Sequence, residues 1–366
     1  MDVKVIKVRV RAVEQRMRAK KLDAMILTSA ANVSYLTGFL GEDSWVCIIG
    51  RKVFFLTDSR YTEQAQSECV GCKVIDNERS MTGAVGKLLG RYRSVNVVGV
   101  EDCCSVAVMK RLRKEVGARL RAVGGLVEPV RAIKDAGEVK LIEKAVKVSW
   151  EALDYTLKRL RVGVSESEAA GLLDYQIRKR GGQIGFETIV AFGPNGSRNH
   201  HQPGARKLKK NDTILVDFGT KVAGYMSDIT RSFVFGKASR LYEKVYYAVA
   251  DSQATAIAKI RAGARLLDID TAARRAIEDA GLEVYGHGTG HGIGLVVHEQ
   301  PFMSKISRGR LEAGQVVTIE PGIYLPGKFG VRLEDDILVT KDGCKVISKD
   351  SRFGFSNGKM PVLRSR

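Results

Sequence analysis

The sequence predicts an α/β (α+β) protein of two domains, the second built from two related halves, and three observations support this. Residues 22 to 100 alternate short apolar runs with helical stretches. Gly124-Gly125 and Glu128-Pro129 then interrupt the chain just ahead of a long helical period. That period belongs to a helix–helix–strand pattern that returns about one hundred residues later. At 366 residues the chain is long for a single core, and its hydrophobic fraction of 44% is ordinary for a globular protein.

Taken in order, the opening MDVKVIKVRVRAVEQRMRAKKL is basic and amphipathic. DAMILT, SWVCIIG and KVFFLT read as strands, RYTEQAQSE as a helix and VNVVGV as a further strand. The domain boundary is expected within residues 125 to 135, giving domains 1–128 and 129–366. In the second domain Val139, Ile142, Val146, Trp150, Leu153, Leu157 and Leu160 recur every three or four residues, one face of a helix that stops near Gly163. Ser165 and Glu168 have capping-box spacing for the next helix, which ends at Gly181-Gly182 before the apolar FETIVAF strand. The second half repeats this, with a helix through LYEKVYYAVADSQATAIAKI, then Arg261-Ala262-Gly263 echoing Arg161-Val162-Gly163, then a helix ending at Gly281. Two such units would wrap a shared sheet and gather their strand ends at a central cleft. The tail is polar and basic after Phe355 and is expected to fray.

No apolar run reaches the roughly 18 to 20 residues of a membrane span, and the N-terminus lacks the apolar segment of a secretory signal. A cytoplasmic protein without membrane partners is expected. The six cysteines show no disulfide framework, and the Cys69–Cys72 CxxC stands without a second pair or a nearby histidine, so reduced structural thiols are expected. The net charge of +19 raises the question of nucleic acid. Its Lys and Arg are dispersed along helices without interleaved aromatics or a recognisable module, which predicts a basic solvated surface instead.

All five histidines fall in two stretches, NHHQPG and GHGTGHGIGLVVHEQP, each beside strands bearing acids. Asp217 in LVDFGT and Asp228 in MSDITRSF are eleven residues apart, on strands that a turn around Gly224-Tyr225 would fold antiparallel. Glu320 ends the run VVTIE at a Pro-Gly turn, and Glu334 in VRLEDDI reads as a strand residue. Buried acids so gathered repel one another without a cation. Carboxylates with one or two imidazoles and no thiolate suit a hard or borderline dication, Mn²⁺ first, with Co²⁺, Fe²⁺ or Zn²⁺ as alternatives.

These residues resemble the pita-bread metallopeptidases, in the branch of Xaa-Pro aminopeptidase and prolidase. The likeness runs from LDAMILTSAANVSYLTGF and LTDSRYTEQA, through RAIKDAGEVKLIEKA, to DFG, SDITRSF, GTGHGIGLVVHEQP, IEPGIY and VRLEDD. It implies a creatinase-like N-terminal domain before a pita-bread catalytic domain with an internal pseudo-twofold. It also implies two divalent ions held by Asp217, Asp228, His291, Glu320 and Glu334, with Asp228 and Glu334 bridging. Ions roughly 3.5 to 4 Å apart would share a hydroxide that attacks the peptide bond. Glu320 resembles the family's proton shuttle. His200 and His298 resemble non-ligand histidines that contact the peptide and donate to the oxyanion. His287 is similar to a residue lining a proline pocket, Tyr324 to a tyrosine supporting the shuttle, and Arg332 would orient Glu334 or meet the substrate's carboxyl side.

The implied substrates are peptides or dipeptides with proline in second position. The implied assembly is a homodimer in which the first domain of one subunit approaches the other's cleft. One departure is Asn199, where many relatives have proline before the functional histidine. His201 has no counterpart and is expected to be exposed or to cap. Creatinase shares both domains but lacks a complete ligand set. A metalloaminopeptidase without proline preference, and a non-catalytic member binding RNA or protein, are the competing readings.

Overall fold

The computed structural model describes residues 2–77, 80–350, 352–353 and 359–363, and divides into two compact units, Met1–Arg131 and Ala132–Arg366. Among the described residues unit 1 holds six strands, β1 (Ala24–Leu27), β2 (Trp45–Ile49), β3 (Lys52–Thr57), β4 (Lys73–Asp76), β5 (Val97–Glu101) and β6 (Arg119–Val123). They form one mixed sheet in the order β4-β3-β2-β1-β5-β6. All four residues of β1 are buried, as suits a central strand covered on both faces. Its helices are α1 (Val3–Ala19), α2 (Ala30–Thr37), α3 (Thr62–Glu68), α4 (Met81–Leu89) and α5 (Val106–Glu115), and α6 (Glu128–Ala132) runs across the division. The basic opening segment is α1, which buries Ile6, Val10, Val13 and Met17 on one side.

Unit 2 carries the long helices α7 (Ala136–Leu157), α8 (Glu166–Lys179), α9 (Arg240–Ile257) and α10 (Leu266–Asp279). The apolar stripe expected for α7 is buried from Ile142 onward, and Ser165 and Glu168 do form a capping box at α8. Strands β7 (Gln183–Ile184), β8 (Ile189–Phe192), β9 (Thr213–Phe218), β10 (Thr220–Val222), β11 (Tyr225–Met226) and β12 (Ile229–Phe235) belong to the first half. The second half adds β13 (Gly290–Gly292), β14 (Glu299–Met303), β15 (Val316–Ile319), β16 (Gly322–Leu325), β17 (Phe329–Arg332), β18 (Asp335–Val339), β19 (Cys344–Val346) and β20 (Val362–Leu363).

The duplication is visible bond by bond. Gly163 N–H meets Leu208 O as Gly263 N–H meets Leu311 O, and Leu208 N–H meets Val164 O as Leu311 N–H meets Ala264 O. Gly163 and Gly263 both take the left-handed conformation, at φ 94° and 82°, and so do Gly181 and Gly281 at the helix ends. Two features differ from expectation. The main strands form two sheets, β20-β12-β9-β8 and β14-β13-β15-β18-β19, where a single shared sheet was expected. The seam lies where pairing gives way beside Asp228 and Glu334, bridged by Glu334 N–H to Thr230 O. The end of the chain does not simply fray: Val362 and Leu363 pair in parallel with Val234 and Phe235, giving the apolar pair a sheet edge to join. Residues 354–358 and 364–366 of that expected tail lie outside the described residues.

Helices α7 and α8 pack on the first sheet through Leu153, Leu157, Leu173 and Ile177 against Val190, Val216 and Phe233. Helices α9 and α10 pack on the second through Ala256, Ile269 and Ala273 against Val317, Ile319 and Ile337.

Candidate metal centre

Strand pairing gathers the acids. Asp217 stands opposite Thr230 on the antiparallel β9–β12 pair, and Asp228 lies two residues before Thr230, so the two aspartates are diagonal neighbours on one face. The turn that returns the chain uses Ala223 and Gly224, both at positive φ. In the second sheet Ile319 pairs with Asp335, which places Glu320 and Glu334 side by side just beyond the pair. Glu334 is not itself in a strand: it sits in the two-residue break between β17 and β18, its N–H bonded to Thr230 O and its Oε2 accepting from Thr230 Oγ1 at 2.6 Å. His291 comes from β13, brought close to β15 because Gly290 has no Cβ, which would stand 1.9 Å from Thr318 O.

The donor atoms of Asp217, Asp228 and Glu334 lie within 4.8 Å of one another, as do those of His291, Glu320 and Glu334. Asp228, His291 and His298 form a third such group, with the His291 and His298 rings 4.4 Å apart. His298, expected only as a substrate contact, therefore also stands within ligating distance.

This set fits divalent cations on two counts. Asp217 Oδ1 is buried with no hydrogen-bond partner among the described residues. Burial first, then the neighbouring carboxylates, push Asp228 and Glu334 well above the usual carboxylate range, so these acids would give up their protons together only where a cation balances their charge. His291 is presented as a ligand. Its Nδ1 contacts the Gly292 carbonyl, which can only accept, so the proton sits there and Nε2 is left facing Glu320 Oε1 at 3.3 Å and Asp228 Oδ2 at 3.7 Å. Burial opposes a charge on His291, but the Glu320 carboxylate outweighs it and raises the imidazole's pKa. The converse holds for Glu320, where burial is overcome by His291 and its pKa falls.

Arg332 was expected to orient Glu334 or to meet the substrate's carboxyl side, and it reaches Glu334 only through an intermediary. Its NH2 binds Asp217 Oδ2, its NH1 the Tyr324 hydroxyl at 2.9 Å, and its Nε the Thr230 hydroxyl at 3.1 Å, which in turn donates to Glu334. Thr230 was not anticipated. Tyr324 passes the chain on to His287 Nε2 at 3.0 Å, while His287 Nδ1 donates to Gly288 O. Burial pushes the Tyr324 hydroxyl up to about 12 and lowers His287, so that chain stays neutral at the histidine.

These groups open into a cavity of about 590 Å³. Its walls include Phe186, Glu187, Asn199, His200, His287, Val297, His298 and Phe302, all from unit 2. His200 therefore joins the site. His201 departs from expectation: it is buried at 8% exposure, with Nε2 2.8 Å from Glu166 Oε2.

A family model described as metallopeptidase family M24 matches residues 140–341, and one described as the creatinase/prolidase N-terminal domain matches residues 9–133. The chain is 36% identical over 337 residues to the uncharacterized peptidase YqhT of Bacillus subtilis (strain 168), covering 89% of this chain and 94% of that protein. It is similar in structure to an Xaa-Pro dipeptidase from Bacillus anthracis, with a TM-score of 0.92, 32% identity, and 98% and 100% of the two chains covered. An X-Pro aminopeptidase from Thermotoga maritima MSB8 gives a TM-score of 0.86 at 30% identity, covering 96% and 100%.

Proposed function

The chain belongs to metallopeptidase family M24, and we propose that it hydrolyses the bond between an N-terminal residue and a following proline, in dipeptides or in longer peptides. The observation that carries this is the convergence of Asp217, Asp228, His291, Glu320 and Glu334 in a cavity also lined by His200, His287 and His298. Its solved relatives include both a dipeptidase and an aminopeptidase acting before proline. Asp217, Asp228, His291, Glu320 and Glu334 would hold two dications, and their oxygen-rich donor set would favour Mn²⁺. When bound, such ions supply an activated water and polarise the scissile carbonyl.

The chain's own residues do the rest. Glu320, beside His291, takes a proton from the attacking water and returns it to the leaving nitrogen. His200 and His298 donate to the oxygen that gains charge in the tetrahedral intermediate. His287, fixed between Gly288 O and Tyr324, lines the recess for the proline ring, and Arg332 fixes Asp217 and Thr230. We further propose a homodimer and, from six unpaired cysteines, a reducing cytoplasmic setting. No helix among the described residues is long and apolar enough to cross a membrane.

Purified protein with added Mn²⁺ is offered Ala-Pro, Ala-Pro-Ala and Ala-Ala-Ala, and released alanine is quantified. Cleavage of the proline peptides, abolished by exhaustive chelation and restored by metal, is expected. Equal rates on Ala-Ala-Ala would replace the proposal with a broader aminopeptidase, and full turnover of verified metal-free protein would remove it. Light scattering at twice 40.1 kDa tests the dimer.

A further inference from the structure

Glu166 is the first residue of α8, and its side chain is fully enclosed. Its carboxylate accepts four hydrogen bonds, all from the end of β8 and the segment leading towards β9. Oε1 takes the Phe192 N–H at 2.8 Å and Asn195 Nδ2 at 2.9 Å. Oε2 takes His201 Nε2 at 2.8 Å and the Gly204 N–H at 3.1 Å. One buried group thus ties together the entry, middle and exit of the loop that brings Asn199 and His200 to the cavity wall. Ser167 Oγ adds bonds to the Pro203 and Gly204 carbonyls.

The internal repeat supplies the comparison. In the second half the equivalent position is Leu266, also buried at 4% exposure. Its N–H bonds Gly309 O as the Glu166 N–H bonds Arg206 O. The helix start therefore accepts an apolar side chain here, and the same fold forms without an acid. A buried carboxylate is costly unless its lone pairs are all met. In the first half the partners that meet them all come from the end of β8 and the His200 loop that follows it. Consecutive Cα atoms are about 3.8 Å apart, so pinning His201 also fixes the backbone of His200.

We propose that Glu166 and His201 are a positioning pair for His200, and that they influence the reaction only by fixing the loop from which His200 presents its ring. This rests on the reading of His200 above as a donor to the substrate. A site of this kind is sensitive to small displacements, since about 1 Å of misplacement can cost on the order of 100-fold in rate.

The test is a double-mutant cycle on the metal-loaded enzyme with Ala-Pro, measuring kcat, KM and metal content for wild type, His200→Ala, His201→Leu and the double variant. His201→Leu is expected to lower kcat by about 10- to 100-fold with KM moved by less than about 3-fold and metal content unchanged. His201→Gln, whose Nε2 can still donate to Glu166, is expected to recover kcat to within about 3-fold of wild type. In the His200→Ala background, His201→Leu should cost nothing further. An equal loss in both backgrounds, no recovery by His201→Gln, or loss of metal in His201→Leu would overturn the proposal while leaving the reading of His200 intact. An unchanged kcat in His200→Ala would instead sink that reading and the positioning role with it. If His201→Leu does not fold, Asn195→Ala takes its place in the cycle, removing one donor from the same carboxylate, with an expected loss of about 3- to 10-fold that again vanishes beside His200→Ala.

Discussion

At the scale of single residues, His291 and His298 stand seven positions apart with their rings 4.4 Å from each other, yet their surroundings differ. His291 is buried, with Nδ1 committed to Gly292 O and Nε2 turned to two carboxylates, whereas His298 is exposed to the cavity. The expected outcome is that His291→Ala loses metal, while His298→Ala keeps it and loses about 10² to 10³ in kcat, the typical cost of one oxyanion donor. Metal stoichiometry and kinetics measured in parallel decide it, and equal metal loss in both would make His298 a ligand. Asp217, Asp228, His291, Glu320 and Glu334, whose donor atoms the fold brings together, could be singled out from sequence because each lies in a short motif whose chemistry has few uses. Thr230 and Glu166 could not. Their importance lies in partners 104 and 35 residues away, at Glu334 and His201, and nothing next to them in the chain announces those partners.

At the scale of elements, burial decided what was legible. β1, β2 and β3 lie inside their sheet and carry continuous apolar runs, so they stood out, whereas β4 and β6 are its two edges, and neither KVID nor RLRAV was singled out as a strand. Helix α5 fully buries only Leu112, with Val108 and Met109 partly buried beside it, so its apolar stripe is short. Helix α1, by contrast, is fastened by polar contacts as well as by its apolar face. Glu14 on α1 accepts from Arg51 Nε at 2.9 Å and Arg18 NH2 at 2.7 Å, and the bond from Arg51 above all holds its carboxyl below the usual range. A depressed folded-state pKa stabilises above the unfolded value, about 4.3, and that stability is lost as pH falls through the folded value. Glu14→Gln should therefore lower stability at pH 7 by no more than about 1 kcal/mol, since both guanidiniums are exposed to screening solvent. Urea unfolding of the two proteins at several pH values checks this. A gap that fails to narrow as the pH falls below about 4.3 would mean that the glutamate's charge is not what stabilises the helix.

At the scale of the whole molecule, the hundred-residue echo from Arg161-Val162-Gly163 to Arg261-Ala262-Gly263 was legible because glycines at φ 94° and 82° are needed at both joints. The division into two sheets was not, because it follows from where the carboxylates interrupt strand pairing. Those carboxylates also link the reaction site to the stability of unit 2. Asp228, Glu334 and Asp217 face one another across a buried space, and their repulsion and desolvation count against the folded state whenever no cation is present. A ligand that binds only the folded chain stabilises it by about 2.7 kcal/mol at one hundred times its Kd. For a domain of this size that corresponds to a rise in Tm of roughly 5 to 10 °C on adding Mn²⁺ to metal-free protein. In Asp228→Asn one of the facing charges is gone, so the metal-free form should melt no lower than wild type and its response to Mn²⁺ should collapse. Calorimetry of both proteins with and without the ion separates the cases. A Tm rise that survives in Asp228→Asn would place the stabilising ion elsewhere on the molecule, and no rise in wild type would mean that these acids do not form a metal centre.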